Sequence, residues 1–189
     1  MRRMFVPDRM LGSYRELTPE LLASFGIRAL LIDIDNTLAP YEQEEPDEAV
    51  RNWFFALAEA GIRAALVSNN HPPRVERFNR TLGLPAYADS KKPSRRTLLR
   101  AMGELGVSKE ECAVLGDQLL TDVFGGKRLG LVAFAVVPIR DKTNLFFRFK
   151  RWCERPFVRR YAKTYGYEPW MSFWHVFEKI KKNEESKSK

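Results

Sequence analysis

Arg28-Ala-Leu-Leu-Ile-Asp33-Ile-Asp35-Asn-Thr37 is an apolar run of strand length that ends in two carboxylates. It lacks the in-out alternation of a half-exposed strand, which predicts a strand buried on both faces, as in a parallel sheet. The same grammar extends in both directions. Toward the N-terminus, Thr18-Pro19-Glu20 reads as a helix start with Thr18 as the cap. Toward the C-terminus, Val50, Trp53, Phe54 and Leu57 recur at helical spacing within residues 46–60, and Gly61 stops that helix. Residues 62–67 form a second buried strand ending at Ser68-Asn69-Asn70. Beyond it the pattern predicts a helix over 72–82, a short strand over 85–88 and a helix over 93–105 that stops near Gly106. A third clear strand over 112–116, a helix through about residue 129 and a strand over 131–137 complete it. Strands alternating with helices imply an α/β fold, a doubly wound, Rossmann-like and largely parallel sheet. Such sheets bind ligands outside the carboxyl ends of their strands, which here hold Asp33, Asp35, Ser68, Asn69, Asp117 and Asp122.

Composition excludes several classes. In 189 residues, 44% are hydrophobic and 30% charged, with 11 Gly and 11 Pro, so the chain is neither collagenous nor wholly disordered. Cys112 and Cys153 cannot build a disulfide framework, no run is long and apolar enough to span a bilayer, and Met1 begins no signal-like segment. The expected address is cytoplasmic. The net charge of +8 is uneven: residues 139–189 carry 14 Lys+Arg against 6 Asp+Glu, whereas residues 1–138 are balanced at 18 each. The same 51 residues hold 12 of the 23 aromatics. This divides the chain into a domain over 1–138, with its core over 28–138, and a basic, aromatic extension over 139–189.

Asp33 and Asp35 lie two apart on extended backbone, so both carboxylates point to one side, with Thr37 next in phase. A bound Mg²⁺ would relieve their repulsion, and Mn²⁺ could replace it in an oxygen-only site. Taken alone, Asp-Asn-Thr also reads as a turn and helix cap. Gly116-Asp117-Gln-Leu-Leu-Thr-Asp122 adds a second acidic pair at another strand end, where Gly116 would let backbone approach a ligand and Asp122 could instead serve a helix N-terminus. Ser68 and the N–H groups after it can bind phosphate oxygens, and Lys91 or Lys92 could neutralise the same group, although each alone reads equally as a turn or solvated residue. His71 reads as a loop residue.

In order, Asp33-x-Asp35-x-Thr37, Ser68, Lys92-Pro93 and Gly116-Asp117-x4-Asp122 resemble the four motifs of the haloacid dehalogenase superfamily of phosphatases. The resemblance implies that Asp33 is a nucleophile forming an aspartyl-phosphate, and that Asp35 is the acid that protonates the leaving oxygen and then the base that activates water. It implies that Ser68, Asn69 and Lys92 hold the phosphoryl group, that Asp33, the Asp35 carbonyl and Asp117 hold Mg²⁺, and that Asp122 orients the lysine or a metal-bound water. Lys92 is preferred to Lys91 because the family's lysine commonly precedes Pro. Cap domains of this superfamily are inserted after the first motif or between the second and third. Here about ten residues separate Thr37 from the helix near Pro46, and 23 lie between Ser68 and Lys92, too few for either cap. An open site suits a large or surface-held phosphomonoester.

The finer pattern, with Asp-Asn-Thr, Ser-Asn-Asn and Gly-Asp-Gln-Leu-Leu-Thr-Asp, resembles the YqeG-type subfamily of capless class IIIA phosphatases, whose organellar relatives act on phosphatidylglycerophosphate. That resemblance implies a phosphatidylglycerophosphate substrate and a place in phospholipid synthesis. Within the extension, Leu145, Phe146, Phe149, Trp152 and Cys153 share helical spacing, as do Trp170, Phe173, Trp174, Phe177 and Ile180, while Pro156 and the 166–169 region are expected to break it into segments. Basic, aromatic helices over 140–182 suit the inner face of an anionic membrane. They also suit packing on the domain, or a homo-oligomer. Residues 183–189 read as a solvated, disordered end. Two readings compete with the lipid enzyme: a nucleic-acid end phosphatase, since basic aromatic surfaces also bind strands, and a non-enzymatic phosphate-sensing scaffold.

Overall fold

The structure, a computed structural model, describes residues 2–140 and 145–174. Six parallel strands form one sheet: β1 (Arg9–Leu11), β2 (Ala29–Ile32), β3 (Arg63–Val67), β4 (Ala86–Tyr87), β5 (Cys112–Gly116) and β6 (Val132–Val136), in the order β1-β6-β5-β2-β3-β4. The quoted run is the central strand. Leu30 and Ile32 pack into one apolar layer and Ala29 and Leu31 into the other, so the strand is covered on both faces, as its lack of alternation requires.

Helices α1 (Pro19–Ser24), α2 (Glu48–Glu59) and α3 (Pro72–Asn79) contribute to one layer. The other takes α4 (Arg95–Leu105) and α6 (Leu145–Tyr165), next to a short α5 (Phe124–Lys127). Local chemistry sets their ends. Thr18 Oγ1 accepts from the Leu21 N–H at 3.3 Å with Pro19 in the first turn, and Asp47 Oδ1 accepts from the Val50 N–H at 2.8 Å. α2 buries Val50, Trp53, Phe54 and Leu57, the face expected from their spacing. Gly106, at φ +61°, ends α4 in the left-handed conformation that a side chain disfavours.

Three elements differ from the expectation. β1 is an edge strand of three residues, too short to carry a pattern. The helix expected after Asp117 is a π-helical turn, Leu119–Val123, followed by α5. Pro156 does not break the extension: α6 runs through it for 21 residues. Pro156 and Trp152 both face solvent, so the carbonyl that loses its donor can turn to water, while Glu154, Val158 and Tyr161 hold the opposite face against the domain. Residues 169–174 form a 3₁₀ turn that buries Met171 and Trp174. Phe177, Ile180 and residues 183–189 lie outside the described residues, as do the side chains of Phe146 and Phe147.

Candidate active site

Register brings the chemistry together. Ile32 lies level with Leu115 on one side and Leu66 on the other, so Asp33, Gly116-Asp117 and Val67-Ser68 leave the sheet at one edge. The Asp33 N–H still donates to the Leu115 carbonyl at 2.9 Å, which fixes the first carboxylate to the sheet itself. The turn beyond it needs Asn36 at φ +64°, a conformation Asn tolerates better than most residues. Its N–H donates to the Ala39 carbonyl at 2.7 Å, closing the loop.

The Lys92 ammonium is the hub. It donates to Asp33 Oδ1 at 2.6 Å, Asp122 Oδ1 at 2.7 Å and the Val67 carbonyl at 2.7 Å. Lys91 is exposed, so the structure brings Lys92 into the site and leaves its neighbour in solvent. Burial works against the charge on Lys92, but Asp122 and Asp33 outweigh it and hold the group above its ordinary pKa. Burial raises the pKa of Asp33; Lys92 opposes the shift, and Asp122 and Asp117 add to it. Thr37 Oγ1 reaches Asp33 Oδ2 at 3.4 Å.

Asp33, Asp117 and Asp122 each offer an oxygen within 4.8 Å of the others. Asp35 differs: its carboxylate turns aside to accept from Arg74 Nε at 3.2 Å and Asn70 Nδ2 at 3.1 Å, which leaves only its backbone carbonyl for a metal. Both Asp33 and Asp35 line an open cavity of about 210 Å³ with Ser68, Asn69, Lys92 and Asp122, while Asp117 is fully buried and outside the lining. The site suits a divalent cation on two counts. Its donors are all oxygen, and the carboxylates are crowded: beyond burial, Asp122 raises the pKa values of Asp33 and Asp117 even with Lys92 and Arg151 paired to them, a repulsion that a bound cation would ease.

Gly116 makes room for Asp122, because a Cβ there would sit 2.3 Å from Asp122 Cγ. The Asn69 side chain is engaged with the lysine loop: Oδ1 accepts from the Lys92 N–H at 2.7 Å and from Ser90 Oγ at 2.8 Å, and Nδ2 donates to the Lys92 carbonyl at 3.2 Å. Ser68 is buried beside the cavity, where its Oγ accepts from the Asn70 N–H at 3.0 Å. His71 starts α3, exposed and 3.0 Å from Asp89, outside the cavity lining. Burial pushes the Cys112 thiol up to about 12, as befits a core residue.

Sequence reasoning missed the groups behind these residues. Arg74 holds Asp35. Arg151 of α6 bonds to the Asp117 carboxylate and donates to its carbonyl at 2.8 Å. Glu154, fully buried, accepts from the Leu119 N–H at 2.7 Å, and Lys150 donates to Gln118 at 2.9 Å. Arg151 and Glu154 stand three apart on a helix, the spacing of a solvated surface pair, so nothing in the sequence marks them as buried. Burial alone would lower the Arg151 pKa, but Asp117 and Glu154 outweigh it and raise it. Burial also keeps Asp117 above its ordinary value despite Arg151.

An aspartate-bearing central strand, a bridging lysine and a buried acidic pair at one edge of a parallel sheet are the features of one hydrolase family. The family model for haloacid dehalogenase-like hydrolases matches residues 16–130, and the chain belongs to that family. It is a phosphatase of the haloacid dehalogenase type. The chain is 34% identical over 170 residues to the probable phosphatase YqeG of Bacillus subtilis, covering 90% of this chain and 98% of that one, and it belongs with the YqeG family. It is also 24% identical over 114 residues to the glyceraldehyde 3-phosphate phosphatase of Pyrococcus abyssi, covering 56% of this chain and 47% of that protein. Among solved structures, it is similar to the cobalt-bound deoxy-D-mannose-octulosonate 8-phosphate phosphatase of Haemophilus influenzae. That match has a TM-score of 0.47 and 18% identity, covering 74% of this chain and 92% of the other.

Proposed function

We propose that this phosphatase removes the terminal phosphate of phosphatidylglycerophosphate at an anionic membrane surface, giving phosphatidylglycerol, with Mg²⁺ as its metal. The observation that carries the reading is the outer face of α6. Leu145, Phe149 and Trp152 are 78%, 60% and 59% exposed on one face of the helix, with Arg148 beside them, and Lys150 of the same turn lines the cavity. An exposed aromatic stripe among cations suits the headgroup layer of a bilayer, and it lies beside an open site. Among the described residues no inserted domain covers that site: α3 and β4 occupy the second gap, and a loop the first. No helix among them is long and apolar enough to cross a membrane, so contact would be peripheral.

In this reading an Asp33 carboxylate oxygen attacks phosphorus. The bond to the leaving glycerol oxygen breaks, and Asp35, freed from Arg74, gives that oxygen its proton. Asp35 then takes a proton from water, whose oxygen attacks phosphorus, releases phosphate and restores Asp33. Ser68 and the Asn69 N–H hold phosphoryl oxygens, and Lys92 balances their charge while Asp122 fixes its position. Asp33, Asp117 and the Asp35 carbonyl would hold the metal, which when bound screens the carboxylates from the phosphate and polarises its oxygens.

The test is phosphate release from phosphatidylglycerophosphate in mixed micelles with Mg²⁺, against a 3′-phosphorylated oligonucleotide and a small soluble ester. Release from the lipid, absent in Asp33→Asn and reduced for the lipid alone in a Phe149→Ser, Trp152→Ser double variant, is expected. Turnover of the oligonucleotide in place of the lipid would overturn the substrate and keep the phosphatase.

A further inference from the structure

The C-terminal helix reaches the acidic cluster through two side chains with no counterpart in the four motifs. The Arg151 guanidinium binds Asp117 Oδ2 and the Asp117 carbonyl together, and its Nη1 also donates to Glu154 Oε2 at 2.9 Å. Arg151 holds Oδ2, while the second Asp117 oxygen, Oδ1, lies 3.5 Å from Gln118 Nε2, and one carboxylate oxygen of Asp117 lies within 4.8 Å of those of Asp33 and Asp122. Glu154 does the complementary work on the backbone. The π-helical turn Leu119–Val123 begins at Gln118 without a side-chain cap of its own. Glu154 Oε1 accepts from the Leu119 N–H at 2.7 Å and lies 3.4 Å from the Leu120 N–H. Its Oε2 is held by Trp174 Nε1 at 3.2 Å. Buried N–H groups at a helix start need an acceptor, and here a distant helix supplies it.

We propose that Arg151 and Glu154 are positioning residues through which the C-terminal helix sets the geometry, and so the cation affinity, of the loop carrying Asp117 and Asp122. Arg151 leaves the Asp117 carboxylate one rotamer, with one oxygen held, while Glu154 fixes the turn from which Asp122 projects. A guanidinium also repels a nearby cation, so two effects of opposite sign meet at Asp117. Removing the partner that orients a metal ligand costs roughly 10–100-fold in affinity in known sites, and we take the orienting effect to win. The rival reading is that Arg151 merely fills the cation's place. Against it stand its bonds to the Asp117 carbonyl and to Glu154, which a metal on Oδ1 would leave intact.

The inference rests on the divalent-cation reading of the cluster and not on the lipid substrate. The experiment measures Mn²⁺ binding to the full chain by electron paramagnetic resonance, with Mg²⁺ as competitor. Arg151→Met is expected to raise the Mn²⁺ Kd by ~10-fold or more. Arg151→Lys, whose ammonium cannot form the fork, is expected to fall between it and wild type. In an Asp117→Asn background, Arg151→Met is expected to add less than a ~2-fold change, because its effect passes through Asp117. An unchanged or tighter Kd in a folded Arg151→Met would overturn the proposal. If that variant does not fold, Arg151→Lys and Glu154→Gln decide it, and unchanged affinity in both would overturn it equally. A wild type that binds no Mn²⁺ would overturn the cation reading itself, whereas wild-type binding with indifferent variants would overturn this inference alone.

Discussion

Replacing Lys92 by Met keeps most of the unbranched apolar stem, one atom shorter, and removes one buried charge. The Lys92 side chain is 5% exposed, and its ammonium faces the carboxylates of Asp33 and Asp122, whose side chains are 8% and 3% exposed. Breaking a buried pair by deleting one partner costs roughly 3–5 kcal/mol, and leaving the Val67 carbonyl without its donor adds about 1–3 kcal/mol. The two carboxylates share one cation, so their penalties do not add, and Asp33 can shed part of its share by taking up a proton. We expect a loss of about 4 kcal/mol in metal-free protein, a large part of the 5–15 kcal/mol of a typical domain. Urea unfolding at neutral pH in EDTA reads it directly. Added MgCl₂ should return part of the stability by supplying countercharge, while phosphate release stays lost because the phosphoryl group has lost its lysine. A loss below about 1 kcal/mol in EDTA would refute the reasoning, since the carboxylates would then not depend on Lys92 for their charge balance.

Three further outcomes follow from separate features. Gly116→Ala forces its Cβ against Asp122 and should cost about 1–3 kcal/mol in thermal unfolding, together with turnover, because Asp122 can move only by releasing Lys92. Asp47→Ala removes the α2 cap, which is outside the cavity lining, and should cost about 1 kcal/mol in urea with phosphatase kinetics unchanged. Chelation should abolish phosphate release, and titrating back Mg²⁺ should restore it; activity that persists after exhaustive chelation would argue against the cation reading of the cluster.

The sheet and most of its helices were legible because buried parallel strands are written as uninterrupted apolar runs, and helix ends as Thr18-Pro19, Gly61 and Gly106. Asp33, Asp35, Ser68 and Asp117 were legible because each falls where such a run stops, whereas Lys92 and Asp122 were legible only through their places in the resembled motifs. β1 was not, because three residues carry no period. The inner face of α6 was the least legible part. The helix's visible apolar face, Leu145, Phe149 and Trp152, points outward, whereas the face against the domain holds Arg151 and Glu154 followed by Val158 and Tyr161. Periodicity assumes that apolar side chains go inward and charges outward. Here the first half of the helix meets a site built of charges, so its inner face is charged too. Arg74 escaped for a similar reason, since one of the two arginines on α3 reads as solvated until its bond to Asp35 is seen.

The Tyr161 hydroxyl accepts from the Met10 N–H at 2.9 Å. Met10 lies on β1, the last strand of the sheet, whose outer rim would otherwise offer unpaired backbone to any extended chain in its vicinity. A phenol held there by α6 occupies a donor that an added strand would need. The helix that grips the acidic loop therefore also covers a donor on the open rim of the sheet. Proteolytic loss of that helix would bare the rim, and the shortened chain should accumulate as β-rich aggregate rather than as a soluble, weakened enzyme.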